Sequence, residues 1–166
     1  GVYHGCTARV LLSDFSTVEH LNLTNTDSNL RGFRGGFTDG TYGYFVPFGP
    51  WEVGSINGYV ARILLSDFST VEVLNLADTH SSLIGFRTGF TDSQFAYFST
   101  YTDGYSFTGF VARVNLSDFS TVEYLNLANT DSSLQGFIGG FTDGTYGYFV
   151  PYHNNEGPSG YVARIL

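Results

Sequence analysis

The chain has 166 residues and a mass of 18.2 kDa, about the size of one domain. An apolar fraction of 42% with 17% aromatic residues excludes a disordered chain, and no apolar run approaches the roughly 20 residues that a membrane helix needs. The net charge of −8, with seven scattered arginines and no lysine, excludes a basic patch for nucleic acid.

The sequence contains no methionine and shows no signal peptide, which predicts a processed or partial product. Its single cysteine, Cys6, has no partner for an internal disulfide. Cys6 aligns with Tyr59 and Phe110 in the repeat described next, so a buried small residue is predicted there.

An internal repeat organises the chain. The segment VARILLSDFSTVE at residues 60–72 recurs with few changes at residues 7–19 and 111–123. Its arginine recurs at spacings of 53, 51 and 51 residues, and the length change falls in a Pro/Gly-rich loop, where insertions are tolerated. The successive equivalents are Arg9, Arg62, Arg113 and Arg164.

The first unit, residues 1–29, is predicted to supply only the third and fourth strands of a repeat. The second unit, residues 30–82, is predicted to supply all four, because short apolar stretches alternate there with turn residues. Asp39-Gly40 separates its first two strands and predicts a type I′ hairpin turn. Its four strands are placed at residues 30–38, 42–48, 59–65 and 71–76.

The third unit, residues 83–133, repeats the four-strand pattern, and the fourth, residues 134–166, stops after a third strand at residues 161–166. Each glycine-rich first strand carries two phenylalanines four residues apart. This spacing predicts that both rings lie on one face and pack against the next unit. The pairs are Phe33 with Phe37, Phe86 with Phe90, and Phe137 with Phe141.

Four antiparallel strands in about 51–53 residues, repeated in tandem, predict an all-β fold made of β-propeller blades. An open superhelix of four-stranded units is the alternative, since both architectures stack such units. The strand count exceeds three whole blades by one strand, so closure of a ring within this chain is not expected. Three of the four repeat arginines face a glutamate across a hairpin, which predicts the ion pairs Arg9–Glu19, Arg62–Glu72 and Arg113–Glu123.

The repeat resembles the β-propeller superfamily over essentially the whole chain. Its diglycines, Gly35-Gly36 and Gly139-Gly140, are similar to those of kelch repeats, although kelch units place a tyrosine and a tryptophan after the diglycine and Trp51 is the one tryptophan here. The pattern GFxGGFTDGxYGYFVPY also looks like tandem-blade surface proteins of algae-like and fungus-like protists. Lectin propellers built from few-blade chains are similar in architecture. The resemblance implies stacked blades and transfers no catalytic residue.

Polar residues that could catalyse a reaction or bind a metal show no recognised arrangement, so an enzyme is not predicted. The four histidines occupy unrelated positions in the repeat, which argues against a zinc site. The aspartates, Asp39 and Asp67 among them, fall in predicted turns. Calcium between loops is the one cofactor left open.

The variable loops between second and third strands are predicted to gather on one face of the blades. They combine aromatic rings with Asn, Asp and Glu, which suits a sugar because a ring stacks on its apolar face while polar groups bind hydroxyls. Ordinary variable surface loops are the alternative. The candidate binding residues are Trp51, Glu52, Tyr101, Asp103, Tyr105, Tyr152, His153 and Asn154.

Asn22 begins an Asn-Leu-Thr triplet on the predicted outer strand and is a candidate glycosylation site. The corresponding Asn75 and Asn126 lack such a triplet, so a chance match is the alternative. A lysine-free composition rich in Ser, Thr, Gly and Tyr favours an extracellular or cell-surface location.

Near-identical units favour a scaffold, because a specialised site would make one unit diverge. The sequence therefore predicts a non-enzymatic extracellular repeat protein that assembles with other copies, or with further repeats of the same chain, into a ring, array or filament. The alternative is a lectin-like or adhesion module that binds a glycan through the loop face. A nucleic acid partner is not predicted.

Overall fold

The computed structural model describes residues 4–49 and 55–166, which form an all-β protein with 48% strand and 6% helix. Small antiparallel sheets of two to four strands follow one another along the chain, and the described residues do not close into a ring. Within the same ranges, no helix has the length and apolarity needed to cross a membrane. The all-β prediction is therefore confirmed.

The strands fall in every predicted unit. Three short 3-10 helices follow the fourth strands, at Leu23–Asn25, Leu76–Asp78 and Leu127–Asn129. In the described part of the chain the strands are β1 (Cys6–Val10), β2 (Val18–Asn22), β3 (Phe33–Thr38), β4 (Tyr42–Pro47), β5 (Tyr59–Leu64), β6 (Val71–Asn75), β7 (Phe86–Thr91), β8 (Phe95–Thr100), β9 (Phe110–Asn115), β10 (Val122–Asn126), β11 (Phe137–Thr142), β12 (Gly147–Pro151), β13 (His153–Asn154), β14 (Gly157–Pro158) and β15 (Ala163–Ile165).

We name the sheets in chain order. Sheet I is the β1–β2 hairpin, sheet II is β3–β4–β5–β6, sheet III is β7–β8–β9–β10, and sheet IV is β11–β12–β15. The small hairpin β13–β14 lies in a segment that the sequence predicts as a loop. Its two strands have only two residues each, which is too short for an alternating pattern to be visible.

The first strand of each repeat starts later than predicted, at Phe33 rather than at residue 30. Gly32 precedes it with a φ of +72°, a left-handed conformation that interrupts the extended backbone. The turn at Asp39-Gly40 also differs from the predicted type I′, since positive φ occurs at Gly40 and not at its neighbours. The Asp39 carboxylate closes the turn instead, accepting hydrogen bonds from the backbone N–H groups of Thr41 and Tyr42.

The prediction that Phe33 and Phe37 share a face is wrong. A β-bulge shifts the register between Phe33 and Gly35, so Phe33 pairs with Pro47 while Phe37 pairs with Tyr44. One extra residue exchanges the two faces of a strand, because side chains alternate with a period of two. The same bulge occurs in sheets III and IV.

The bulge gives each sheet two apolar faces, and both are used. We call front the face that carries Phe33, and back the face that carries Phe37. The front of sheet II packs against sheet I, around Ala61 and Ile63. Its back packs against the front of sheet III, where the Phe37 and Phe98 ring centroids lie 5.4 Å apart.

The same front-to-back contact recurs between sheets III and IV. Phe90 of β7 takes the place of Phe37, and its ring lies 5.8 Å from that of Phe149. The first strands of neighbouring sheets approach closely, since a Cβ at Gly89 of sheet III would lie 2.2 Å from a ring carbon of Phe37 of sheet II. Crowding by the preceding repeat therefore explains this glycine, as it does Gly140 beside Phe90.

The outer faces of the stack are uncovered in the described residues. Val10 and Val18 are exposed on the front of sheet I, and Phe141 and Val150 on the back of sheet IV. Cys6 lies on that same front and is exposed, so its predicted burial is wrong. Its counterparts Tyr59 and Phe110 are partly buried because a preceding sheet packs on them.

Candidate functional site

The predicted sugar-binding residues fall in two neighbouring loops, as far as the structure describes them. Trp51 and Glu52 lie outside the described residues. Tyr101 is buried, with its ring centroid 5.0 Å from that of Phe107 and the Arg87 guanidinium 4.7 Å above it. Because its ring is covered by protein, Tyr101 offers little surface to a sugar.

Two of the polar candidates shape their own turns. The Asp103 carboxylate accepts hydrogen bonds from the backbone N–H groups of Tyr105 and Ser106, each at 2.8 Å. The Asn154 side-chain oxygen accepts from the N–H groups of Glu156 and Gly157, and Asn154 is buried. These side-chain oxygens stabilise the backbone of their own loops, which gives both residues a structural role.

The remaining candidates form an aromatic cluster. The Tyr152 ring lies 6.3 Å from that of Tyr101, and the His153 ring lies 4.7 Å from that of Phe107. The structure thus brings Tyr101, Tyr152 and His153 together around Phe107, which the sequence did not single out. Tyr152 and Tyr105 are exposed and offer free ring surface.

Asn22 has a structural role in the repeat. It is half-buried and caps the following 3-10 helix, with its side-chain oxygen accepting from the Thr24 N–H and hydroxyl. Asn75 and Asn126 cap their helices in the same way without a glycosylation triplet. Helix capping therefore explains the asparagine in all three repeats.

Metal ligands do not converge in residues 4–49 and 55–166, where no group of three His, Cys, Asp or Glu side chains could hold an ion. The repeated aspartates bond to their own turns. In the second hairpin turn, Asp67 accepts from the N–H groups of Ser69 and Thr70 and from the Thr70 hydroxyl. These hydrogen bonds, the Thr70 hydroxyl first, lower the pKa of Asp67 to about 2.

A repeated phenylalanine marks that same hairpin turn. Phe15, Phe68 and Phe119 have φ values of 49°, 52° and 48°, in the left-handed region that favours Gly or Asn. A residue with a Cβ costs about 1–2 kcal/mol there, so packing of the ring must compensate. Phe68 and Phe119 are only 8% and 5% exposed, whereas Phe15 is 80% exposed.

The arginine of the preceding repeat supplies that packing. Arg62 is buried, and its guanidinium carbon lies 4.3 Å from the centre of the Phe119 ring and 4.1 Å from that of Tyr42. It donates to the Leu116 carbonyl and to Glu72, both at 2.9 Å. We call this arrangement the inter-sheet arginine contact.

Arg62 keeps its charge in this buried position. Burial, the largest single effect, opposes the charged form, but hydrogen bonding and charge interactions with Glu72 and Tyr44 together outweigh it, so the pKa of Arg62 lies above its ordinary value. The predicted cross-strand ion pair with Glu72 is confirmed, as are Arg9–Glu19 and Arg113–Glu123. Their register partners match the prediction.

The contact occurs twice between sheets. Arg9 of sheet I donates to the Leu65 carbonyl of sheet II at 3.2 Å and lies 4.5 Å from the centre of the Phe68 ring. Arg113 of sheet III covers Phe95 of its own sheet, at 4.4 Å, as Arg62 covers Tyr42, but it is only half-buried and, in the described residues, covers no turn phenylalanine. Arg164 of sheet IV likewise covers Tyr146 of its own sheet, at 4.5 Å. Among the described residues, the Phe15 ring therefore lacks an arginine, and Arg113 and Arg164 lack a turn phenylalanine.

Sequence reasoning found the arginines but assigned them only a pairing within the hairpin. It missed Phe15, Phe68 and Phe119. The available signal is an aromatic residue repeated three times at a turn position where a small polar residue or glycine is usual. Comparison of the chain with protein-family models, curated proteins and solved structures finds no match.

Proposed function

We propose that this chain is a non-enzymatic structural protein, extracellular or at the cell surface, whose tandem four-stranded units self-assemble by stacking. The observation that carries the proposal is the repeated front-to-back contact between sheets, with matching faces left uncovered at both ends of the described stack. β-propeller blades or an open superhelix are the two architectures that such stacking would build.

The uncovered faces have the composition of the covered ones. Phe141 and Val150 on the back of sheet IV correspond to Phe37 and Val46, which pack in the cluster between sheets II and III. Contiguous exposed apolar surface in a folded domain favours an interaction site. The proposed partner is therefore a surface of the same kind, from another copy or another repeat.

The repeated polar residues support a structural role. Asp14, Asp67 and Asp118 make the same three turn hydrogen bonds, and each is exposed. Equal use in every repeat is what a scaffold requires, since each unit must present the same contact surface to the next one.

Sedimentation velocity over a hundredfold range of protein concentration tests the proposal. We expect species heavier than 18.2 kDa whose share grows with concentration. A single species of 18.2 kDa at every concentration would contradict self-assembly. Electron microscopy of the heavier species then separates rings from open arrays.

A lectin-like function is the second candidate, favoured by the exposed rings of Tyr105 and Tyr152 beside the aromatic cluster. A glycan array tests it. Binding that is lost in Tyr105→Ser and Tyr152→Ser, and kept in the exposed control Tyr161→Ser, supports it. An array without signal removes it.

A further inference from the structure

A groove lies on the back of sheet III, between β10 and β15. In sheet II the corresponding surface is covered by the next sheet, because the Phe119 ring and the Leu116 carbonyl lie on Arg62. The groove is therefore the place where one more hairpin turn would pack on Arg113. Its lining residues include Tyr97, Val111, Arg113, Glu123, Leu125 and Ile165.

The β1–β2 hairpin carries the side chains that fit this place. Leu12, Phe15 and Val18 are 82%, 80% and 61% exposed. Their counterparts in sheet III all pack in or against the cluster between sheets II and III. The hairpin thus repeats a contact surface that is already used inside the molecule.

Phe15 adds a second, independent observation. Its backbone is left-handed like that of Phe68 and Phe119, but its ring lies in solvent. In the two other turns, burial of the ring under an arginine compensates this conformation. A strained residue without visible compensation points to a contact made elsewhere.

Sheets I and IV are complementary parts of one four-stranded sheet. Sheet IV has the first two strands and a short third one, β15, which pairs with β12 through three residue pairs. Sheet I has the third and fourth strands, paired through five. β1 and β15 share the sequence Ala-Arg-Val/Ile-Leu, at residues 8–11 and 163–166, so β1 can pair with β12 in the register of β15.

We propose, building on the proposed function, that the β1–β2 hairpin of a second copy replaces β15 beside β12 and completes sheet IV. Phe15 of that copy then packs under the Arg113 guanidinium, and its Leu12 carbonyl accepts a hydrogen bond from Arg113. In the same arrangement, the front of the second copy's sheet II packs against Phe141 and Val150 on the back of sheet IV. The contact is head-to-tail, so it closes into a ring or continues as an array.

One substitution on each side of this contact tests the hairpin and the groove independently. Phe15→Ser disables the hairpin, and Leu125→Asp disables the groove; both side chains are largely exposed, so the fold should persist, which circular dichroism checks. Each variant alone should associate at least about tenfold more weakly in sedimentation. Glu156→Gln, at an exposed position outside both surfaces, should assemble like the unaltered chain.

Mixing the two disabled variants gives the decisive result. The Leu125→Asp chain keeps its hairpin and the Phe15→Ser chain keeps its groove, so a one-to-one mixture should form a dimer of twice 18.2 kDa that grows no further. A symmetric contact between two hairpins would not be restored by mixing. Recovery of the dimer supports the proposal, and its absence overturns it.

Ile165→Asp tests the replacement of β15. Ile165 packs against the cluster between sheets III and IV, so the change weakens the pairing of β15 and should strengthen assembly. Weaker assembly in this variant would overturn strand replacement and favour docking beside an intact β15.

The outcomes also separate this inference from the proposed function. If the unaltered chain never associates, both fail. If it associates and both variants associate equally well, another surface is used and only this inference fails. If the polypeptide from its native source is several-fold heavier than 18.2 kDa, with the groove filled by its own next repeat, a second copy is the wrong occupant.

Discussion

At the scale of single residues, two kinds of interaction stabilise the hairpin turn. The Asp67 carboxylate binds turn N–H groups and a threonine hydroxyl, and this needs only local sequence. Phe68 instead accepts a left-handed backbone in exchange for contact with Arg9 of the preceding sheet. The aspartate hydrogen bonds form within each turn, while the phenylalanine contact requires the arginine of the preceding sheet.

Replacing the turn phenylalanines by glycine should therefore have opposite effects. Phe68→Gly loses a buried ring, at a cost of about 3–5 kcal/mol, and regains about 1–2 kcal/mol of backbone strain. We expect a net loss of about 2 kcal/mol in the free energy of unfolding. Phe15→Gly should leave it unchanged or raise it by up to about 1 kcal/mol in dilute solution. Urea unfolding of the two variants checks this, and equal losses would contradict it.

Acid should weaken the turns. The folded state holds the pKa of Asp67 at about 2, below its ordinary value of 3.8, so it favours the carboxylate. The stabilising contribution is complete above about pH 4 and is lost as the pH falls through 2. We expect Asp67→Asn to show a smaller fall in melting temperature between pH 5 and pH 2.5 than the unaltered chain. Glu156→Gln, a carboxylate outside the turn, is the control and should follow the unaltered chain.

At the scale of elements, the bulged first strand decides how sheets stack. The extra residue sends Phe33 to the front and Phe37 to the back, so one strand contacts both neighbouring sheets. Close approach of these strands requires glycine where the ring of the previous repeat arrives. The bulge thus directs a ring toward the next sheet, and the glycine of that sheet leaves room for the ring.

Gly89→Ala tests this packing. The new Cβ would lie 2.2 Å from a ring carbon of Phe37 and 2.7 Å from the Tyr97 carbonyl oxygen, so the strands must move apart. We expect a loss of about 1–3 kcal/mol in the free energy of unfolding, measured in urea. Gly160→Ala is the matched control, because its Cβ would meet no atom within 4 Å. An effect equal to the control would show that the sheets are not tightly stacked there.

At the scale of the whole molecule, stability and assembly are linked. Each sheet gains from a neighbour on either side, and the outer faces of sheets I and IV lack one in the described residues. Burial of these faces in an assembly adds to the stability of the folded state by mass action. The molecule is then most stable when it is associated.

The melting temperature should accordingly depend on protein concentration. A tenfold increase supplies about 1.4 kcal/mol per contact, which corresponds to a rise of roughly 3–6 °C in a chain of this size. Scanning calorimetry of the unaltered chain at several concentrations measures this. Phe15→Ser should abolish the dependence, and a dependence that survives in this variant would locate the contact elsewhere.

The sequence by itself determined the features that depend on neighbours along the chain. The spacing of the repeat placed the strands of sheets II and III, and alternation within one hairpin placed Arg62 opposite Glu72. These features are local, because antiparallel pairing follows from the turn and a period of two. Of the candidate site, the sequence identified the arginine and its ion pair.

Only the tertiary structure decided what the faces of the sheets contact. A single bulge residue reverses the faces of the strand but does not change the hydrophobic pattern of the sequence. The spacing of Phe33 and Phe37 alone therefore could not predict that their rings lie on opposite faces. The reach of Arg62 to Phe119 depends on how two sheets stack, and the exposure of Cys6 and Phe15 depends on whether a neighbour covers them. Such contacts join residues about fifty positions apart, and they form only when whole sheets are packed together.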